Sequence, residues 1–316
     1  MKKISVVVPC FNEEDAIKFF YEEIKEVFKN NLDSLEIIFV DDGSRDNTLQ
    51  IIKDYSKKDN HIKYLSFSRN FGKEAAIYAG LSYAKGDYIG IMDVDLQDPP
   101  KLLPRMMDIL DNDNNYDIVA TRRVTRSGEP KVRSFFARLF YKMINKMSKT
   151  RMVDGARDFC LMRKDVCKTI LSMKEYNRYF KGIFSFVGYN VKWFEYENIK
   201  RVAGKTKWSF WQLFKYAIEG IVGYTTVPLV LPIICSFLFF LISIILLIVS
   251  FFSNIGFTYL FLSIILFSFS LVFLFMGIIG IYLSKTYLEV KNRPVYIIRE
   301  SNVRISDDRE NKKNIL

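Results

Sequence analysis

Over the first 125 residues, hydrophobic positions fall into short β-branched runs separated by longer amphipathic stretches. The runs Ile4–Val8, Glu36–Val40, Ile62–Phe67, Tyr88–Met92 and Asp117–Ala120 have the length and composition of buried strands. Between them, apolar residues recur at helical spacing over about Glu13–Lys29, Asp46–Tyr55, Lys73–Ala84 and Lys101–Leu110. This alternation predicts an α/β domain with a mostly parallel sheet covered on both faces. Ligands of such sheets sit beyond the carboxyl ends of the strands. Pro9–Glu13, Asp41–Arg45 and Asp93–Gln97 each directly follow a strand, so all three are expected along one rim.

The pattern then changes. Along Lys131–Lys149, Val132, Phe135, Phe136, Leu139, Phe140, Met143, Ile144 and Met147 share one helical face, with Lys131, Arg133, Arg138, Lys142, Lys146 and Lys149 around it. That pattern admits a helix packed on the sheet. It equally admits one lying in a membrane interface, where each nearby Lys or Arg contributes about 1 kcal/mol of attraction to anionic lipid.

From Gly220 to Ser284 there is no Asp, Glu, Lys, Arg or His, whereas both flanks are densely charged. The run breaks at Ser253-Asn254-Ile255-Gly256 into Leu229–Phe252 and Phe257–Leu283, each longer than the roughly 20 residues that cross a hydrocarbon core. With about −0.3 to −0.6 kcal/mol from each central Leu, Ile, Phe or Val, insertion of either segment is favourable. A two-helix transmembrane hairpin is therefore expected. Lys205, Lys207 and Lys215 precede the first span, Lys285, Lys291 and Arg293 follow the second, and the connecting loop has no basic residue. Both termini are expected on the cytoplasmic side. Trp208, Trp211 and Tyr216 suit an interfacial anchor. The expected division is an α/β unit over 1–206, an amphipathic juxtamembrane helix over 207–228, two spans within 229–284 and a cytoplasmic tail over 285–316.

Composition narrows the partners. The formal net charge of +11 permits nucleic acid, anionic lipid or phosphorylated small molecules. An apolar hairpin and the lack of any nucleic-acid motif argue against nucleic acid. Cys10, Cys160, Cys167 and Cys235 show no Cys-x-x-Cys spacing, which reads as reduced thiols rather than a disulfide scaffold or zinc site. His61 is the single histidine, which disfavours His-based triads and His-rich metal sites. The apolar run behind Lys2 and Lys3 is too short for a signal peptide and meets Asn12-Glu13-Glu14-Asp15 at once; a buried first strand is expected instead.

The strongest chemical signal is Asp93-Val94-Asp95-Leu96-Gln97. If the strand continues through it, Asp93, Asp95 and Gln97 point to one side and present two carboxylates and a carboxamide oxygen. Oxygen donors without His or Cys suit Mg²⁺ or Mn²⁺ shared with a diphosphate. Asp98-Pro99-Pro100 behind it reads as a helix start. Asp41-Asp42-Gly43-Ser44 has two readings: a strand-end carboxylate that binds a ribose or base N–H, or a turn with a helix cap supplied by Ser44 or Asp46.

Together, Val8-Pro9-Cys10-Phe11-Asn12-Glu13-Glu14, Val40-Asp41-Asp42-Gly43-Ser44, Arg69-Asn70-Phe71-Gly72-Lys73-Glu74 and Asp93-Val94-Asp95-Leu96-Gln97-Asp98-Pro99 resemble the family 2 glycosyltransferases of the Rossmann-like GT-A fold. The similarity is greatest to the polyprenyl-phosphate branch, which includes dolichol-phosphate mannose synthase and bactoprenol glucosyltransferase. The resemblance implies that Pro9, Asn12, Glu13, Asp41 and Asp93 line the nucleotide pocket and that Asp93, Asp95 and Gln97 hold the metal and diphosphate. It puts Asp158 near the reacting sugar, and Arg133, Arg201 and Lys207 at acceptor or donor phosphate. One departure stands out: the family's Arg after Asp-Phe is Cys160 here, so its contact would pass to a neighbour such as Arg157 or Arg163.

The expected activity is inverting, metal-dependent transfer of a hexose from a nucleotide-sugar to polyprenyl (undecaprenyl) phosphate, with UDP-glucose ahead of N-acetylglucosamine or mannose donors from resemblance only. A phosphate acceptor is already anionic and needs no strong general base. A processive polysaccharide synthase would carry more spans and a Gln-x-x-Arg-Trp motif, and neither is present. A non-catalytic nucleotide-sugar-binding scaffold would have no need of the Asp93, Asp95 and Gln97 set. Homo-oligomers and a separate flippase are compatible partners that no residue pattern reports.

Overall fold

The structure is a computed structural model that describes residues 2–123, 141–142, 144–148, 152–196, 217–218, 221–222, 228–229 and 257–303. Its centre is an eight-stranded sheet: β1 (Ile4–Cys10), β2 (Leu35–Asp41), β3 (Ile62–Phe67), β4 (Tyr88–Ile91), β5 (Ile118–Arg123), β6 (Ala156–Arg163), β7 (Val191–Tyr196) and β8 (Ile298–Ser301). The spatial order is β7-β5-β6-β4-β1-β2-β3-β8. β1 pairs in parallel with β2 and β4, β2 with β3, and β5 with β7, whereas β6 and β8 run antiparallel to their neighbours. The mostly parallel sheet is thus present, and the five expected strands are its first five.

The central strands are buried on both faces, which explains why they read as continuous apolar runs rather than alternating ones. Helices α1 (Glu14–Val27), α2 (Thr48–Lys58), α3 (Lys73–Tyr83), α4 (Leu103–Asn112), α5 (Lys164–Ser172) and α6 (Phe180–Phe186) cover it. α1 packs Ile17, Phe20 and Ile24 against one face together with Met106 and Leu110 of α4. On the other face, α3 buries Ala75, Ala76, Ala79 and Gly80. Small residues bring α3 close: a β-carbon at Gly80 would stand 2.2 Å from a Val7 methyl.

A final helix, α7 (Phe257–Val290), is about 50 Å long at 1.5 Å per residue. Its Phe267–Val290 part is long and apolar enough to cross a membrane, and its apolar window has no residue buried against the rest of the chain. Phe267, Phe269, Leu274, Met276 and Leu283 are exposed. It is the one such helix among the described residues. Of the expected first span, 229–252, all but residue 229 lies outside them. So do Cys235, Trp208, Trp211 and Tyr216, and most of the Lys131–Lys149 segment. Within that segment, Ile144 is fully buried against Met152 and Tyr179, and the Asn145 side chain binds both the Met152 N–H and its carbonyl, which favours packing on the domain at that point.

The chain beyond α7 corrects the expected tail. Residues 295–303 return to the sheet as its edge: β8 pairs with β3, Tyr296 stacks on Phe67 at 5.1 Å and is 1% exposed, and the Asn302 side chain bonds to the Tyr64 N–H and the Ile62 carbonyl. The α/β unit is therefore discontinuous in sequence. A four-residue strand so far from the other seven carries no local signal of its partner.

Candidate active site

The parallel pairing Cys10↔Asp41 aligns the carboxyl ends of β1 and β2. Their loops are fastened to each other: the Asn12 N–H donates to Ser44 Oγ at 2.9 Å, the Arg45 N–H donates to Asn12 Oδ1 at 2.8 Å, and the Glu13 N–H donates to Thr48 Oγ1 at 2.8 Å. Asn12 itself takes φ of 52°, a left-handed conformation that asparagine tolerates. The two loops thus form one surface.

Of the two readings of Asp41–Ser44, the structure displays the turn. Asp41 is 1% exposed, and its carboxylate accepts the Ser44 N–H at 3.1 Å and the Ser66 hydroxyl at 2.8 Å. Asp42 reaches across to the β3–α3 loop and accepts the Phe71 and Gly72 N–H groups at 2.6 and 2.9 Å. Burial raises the Asp42 carboxyl to about 6 despite these two donors. Gly43 has φ of 67°, and a β-carbon there would stand 2.5 Å from the Arg69 carbonyl carbon, so the two loops touch backbone to backbone. Asp46 rather than Ser44 serves the helix start, accepting the Thr48 N–H at 3.0 Å.

The antiparallel register of β4 and β6 builds the acidic centre. Ile91, the last residue of β4, lies opposite Cys160, so Asp93 and Asp158, each two residues beyond that pair, come near one another. Lys73, the first residue of α3, inserts its ammonium between them, 2.6 Å from Asp93 Oδ1 and 2.6 Å from Asp158 Oδ2. Lys181 Nζ stands 4.0 Å from Asp158 Oδ1. Burial opposes the charge on Asp158, but the Lys73 and Lys181 ammoniums outweigh it and hold the carboxyl well below the usual range. The same pairing, with Asp158 and Asp93, holds Lys73 charged against its own burial.

Asp93–Gln97 is not an extension of β4. The chain turns there, with Leu96 at φ of 55°, so strand alternation does not aim the side chains. Asp95 is 5% exposed and accepts the Gln97 N–H at 3.1 Å, the bond that closes the turn. Asp98 is not a helix cap either. It is buried, takes Arg157 Nε at 3.1 Å and Nη2 at 3.3 Å, and accepts from the Tyr196 hydroxyl. This brace ties the turn to β6 and β7. Among the described residues, no group of three or more His, Cys, Asp and Glu converges as a metal cage. Two carboxylates and an amide at a strand end still fit a hard cation that takes its remaining oxygens from phosphate and water.

Arg133, Arg201 and Lys207 lie outside the described residues. Arg163 is excluded as a site residue: it sits at the opposite end of β6 and donates to the carbonyls of Tyr116 and Leu110. Cys160 is 1% exposed in the core, and burial pushes its thiol up. The cations that do reach Asp158 are Lys73 and Lys181. Lys73 was within reach of sequence reasoning, because it opens the helix after β3 and so belongs to the same rim. Lys181, on a short helix beyond β6, carried no signal. His61 is remote, at the start of β3, with Nδ1 2.7 Å from Asp59.

An α/β sheet with acidic groups and cations gathered at the carboxyl ends of its parallel strands belongs to the class whose ligands sit at that rim. Comparison with known proteins gives the family. The sequence profile of "Glycosyl transferase family 2" matches residues 5–171. CsbB of Bacillus subtilis strain 168, named as a glycosyltransferase, is 39% identical over 95% of this chain and 92% of its own. The prophage bactoprenol glucosyl transferase homolog of Escherichia coli strain K12 is 39% identical over 94% and 98%. The SfII prophage-derived bactoprenol glucosyl transferase of Shigella flexneri is 39% identical over 95% and 98%. The chain belongs to glycosyl transferase family 2 and is a glycosyltransferase.

Proposed function

We propose that this enzyme transfers a hexose, with UDP-glucose the favoured donor, to polyprenyl phosphate at the cytoplasmic face of a membrane, with inversion at the sugar carbon. The observation that carries the reading is the joining of two features in one fold. The rim cluster of Asp93, Asp158 and Lys73 stands on a sheet whose edge strand follows directly from an exposed apolar helix. Relatives named for glucosyl transfer to bactoprenol, similar over nearly the whole chain, support the lipid acceptor.

Pro9, Asn12 and Glu13 serve the nucleoside end, at the fastened β1 and β2 loops, and the buried Asp41 shapes that end by holding the Ser44 N–H. Asp93, Asp95 and Gln97 would hold Mg²⁺ or Mn²⁺, which would supply charge stabilisation for the departing diphosphate. Asp158 faces the sugar, and Lys181 stands beside it. Arg133, Arg201 and Lys207 meet acceptor or donor phosphate. The single histidine lies away from the rim, which suits an acceptor that arrives already ionised.

The sheet supports a two-span topology. Strands before and after the apolar region belong to one folded unit, so the chain crosses a membrane an even number of times between β7 and β8. A spanning α7 then requires a second crossing, which the Leu229–Phe252 run supplies.

The test is incubation of the purified enzyme with undecaprenyl phosphate and a panel of radiolabelled nucleotide-sugars. Label should enter the lipid fraction from UDP-glucose, stop with EDTA and return with Mg²⁺ or Mn²⁺. Full transfer in EDTA would remove the cation from the account, and no lipid label from any donor would remove the acceptor.

A further inference from the structure

Among the described residues, Lys73 touches both Asp93 and Asp158. Its place is set by backbone rather than by chance contact. Asp42 pins the Phe71 and Gly72 N–H groups, Gly72 turns at φ of 100°, and α3 begins at Lys73. Asp158 holds the ammonium from the β6 side, with Lys181 Nζ 4.0 Å from the other oxygen of that carboxylate. The side chain is about one-third exposed, so the pair borders the open rim.

We propose that Lys73 is a resident counter-cation of the donor site, which weakens binding of a divalent cation alone and makes cation and nucleotide diphosphate bind together. The inference rests on the assignment of Asp93 to the cation site made above. A dication approaching Asp93 meets a carboxylate already shared with an ammonium that Asp158 keeps in place. Two like charges on one carboxylate repel strongly in a partly desolvated site. A diphosphate removes the conflict, because its oxygens can satisfy the dication and the ammonium at once. The positive charge that Lys73 keeps beside Asp93 thus becomes an attraction for the donor. Lys73 acts here as a positioning residue, setting the order in which ligands are accepted.

The experiment is an EPR titration of free Mn²⁺ with the full chain in detergent, with and without UDP, for the wild type, Lys73→Met and Lys73→Arg. The wild type should bind Mn²⁺ weakly alone and much more tightly with UDP. Lys73→Met should bind Mn²⁺ alone about tenfold or more tightly than wild type, and UDP should add less. Lys73→Arg, which keeps the charge, should follow the wild type. Lys73→Gln, neutral but still a hydrogen-bond donor, gives the same comparison should the methionine variant fail to fold. Equal Mn²⁺ affinity of the wild type and the neutral variants without UDP overturns the role of Lys73 and leaves the cation site standing. If no protein takes up Mn²⁺ even with UDP, the cation assignment fails, and this inference fails with it.

Discussion

Asp95 is the buried carboxylate of the turn after β4, and its Oδ1 already accepts the Gln97 N–H. Replacing it with Asn keeps the shape and removes the charge. Asp95→Asn should lower turnover by about 10²-fold or more, the scale of losing a major electrostatic stabiliser. Circular dichroism should show the variant folded, and turnover within a few-fold of wild type would contradict the role given to Asp95. At this scale, the sequence displayed the acids, placed Lys73 at the same rim and gave no sign of Lys181. Asp93 and Asp95 stand in a recognisable string after an apolar strand. Their neighbours Lys73 and Lys181 arrive from helices distant in sequence, and only the folded contacts show which acid each meets. Arg163, nearer to Asp158 in sequence than either lysine, lies at the far end of the same strand because strands extend about 3.3 Å per residue.

The elements of the rim are held by loop-to-loop hydrogen bonds, and Asp42 is the fastener between the β2–α2 and β3–α3 loops. Burial raises its carboxyl from 3.8 to about 6 in the folded protein, so folding favours the protonated form. The sign follows: its contribution to stability is fully present below about pH 4 and is lost as pH rises through about 6. The loss amounts to about 3 kcal/mol at most. Wild type should therefore lose stability relative to Asp42→Asn between about pH 4 and 7, read from chemical unfolding of both proteins across that range. Parallel pH profiles would contradict the burial of an ionised Asp42. The strands and helices before residue 125 were legible because each has its own period and flanking turn residues. The Asp93–Gln97 turn was not, because an apolar strand followed by Asp-x-Asp gives no sign of where pairing stops.

At the scale of the whole molecule, β8 joins the chain beyond the apolar helix to the sheet before it, through Tyr296, Ile298 and Asn302. Hydropathy displayed the apolar region but not this return, since a four-residue strand has no signature of its partner. Glu289, near the end of α7, accepts the Tyr176 and Asn177 N–H groups, and Lys285 donates to Asn177 Oδ1. The helix base is thus tied to the segment that leads into α6 and Lys181. An even number of crossings predicts that reporters fused at either terminus share one side, and that a reporter inserted at Asn254 lies on the other. Termini on opposite sides would be incompatible with the β3–β8 pairing in a membrane-spanning chain.

The central claim is that the acceptor is a lipid phosphate, and it is tested most directly by offering the enzyme two lipids that differ only in that group. Purified protein with its preferred nucleotide-sugar should label undecaprenyl phosphate. It should leave undecaprenol essentially unlabelled, because the alcohol needs a general base to lose its proton. In the same assay, a short soluble polyprenyl-phosphate analogue should be labelled in detergent, where membrane docking plays no part. Transfer to undecaprenol at a rate similar to undecaprenyl phosphate would contradict the account.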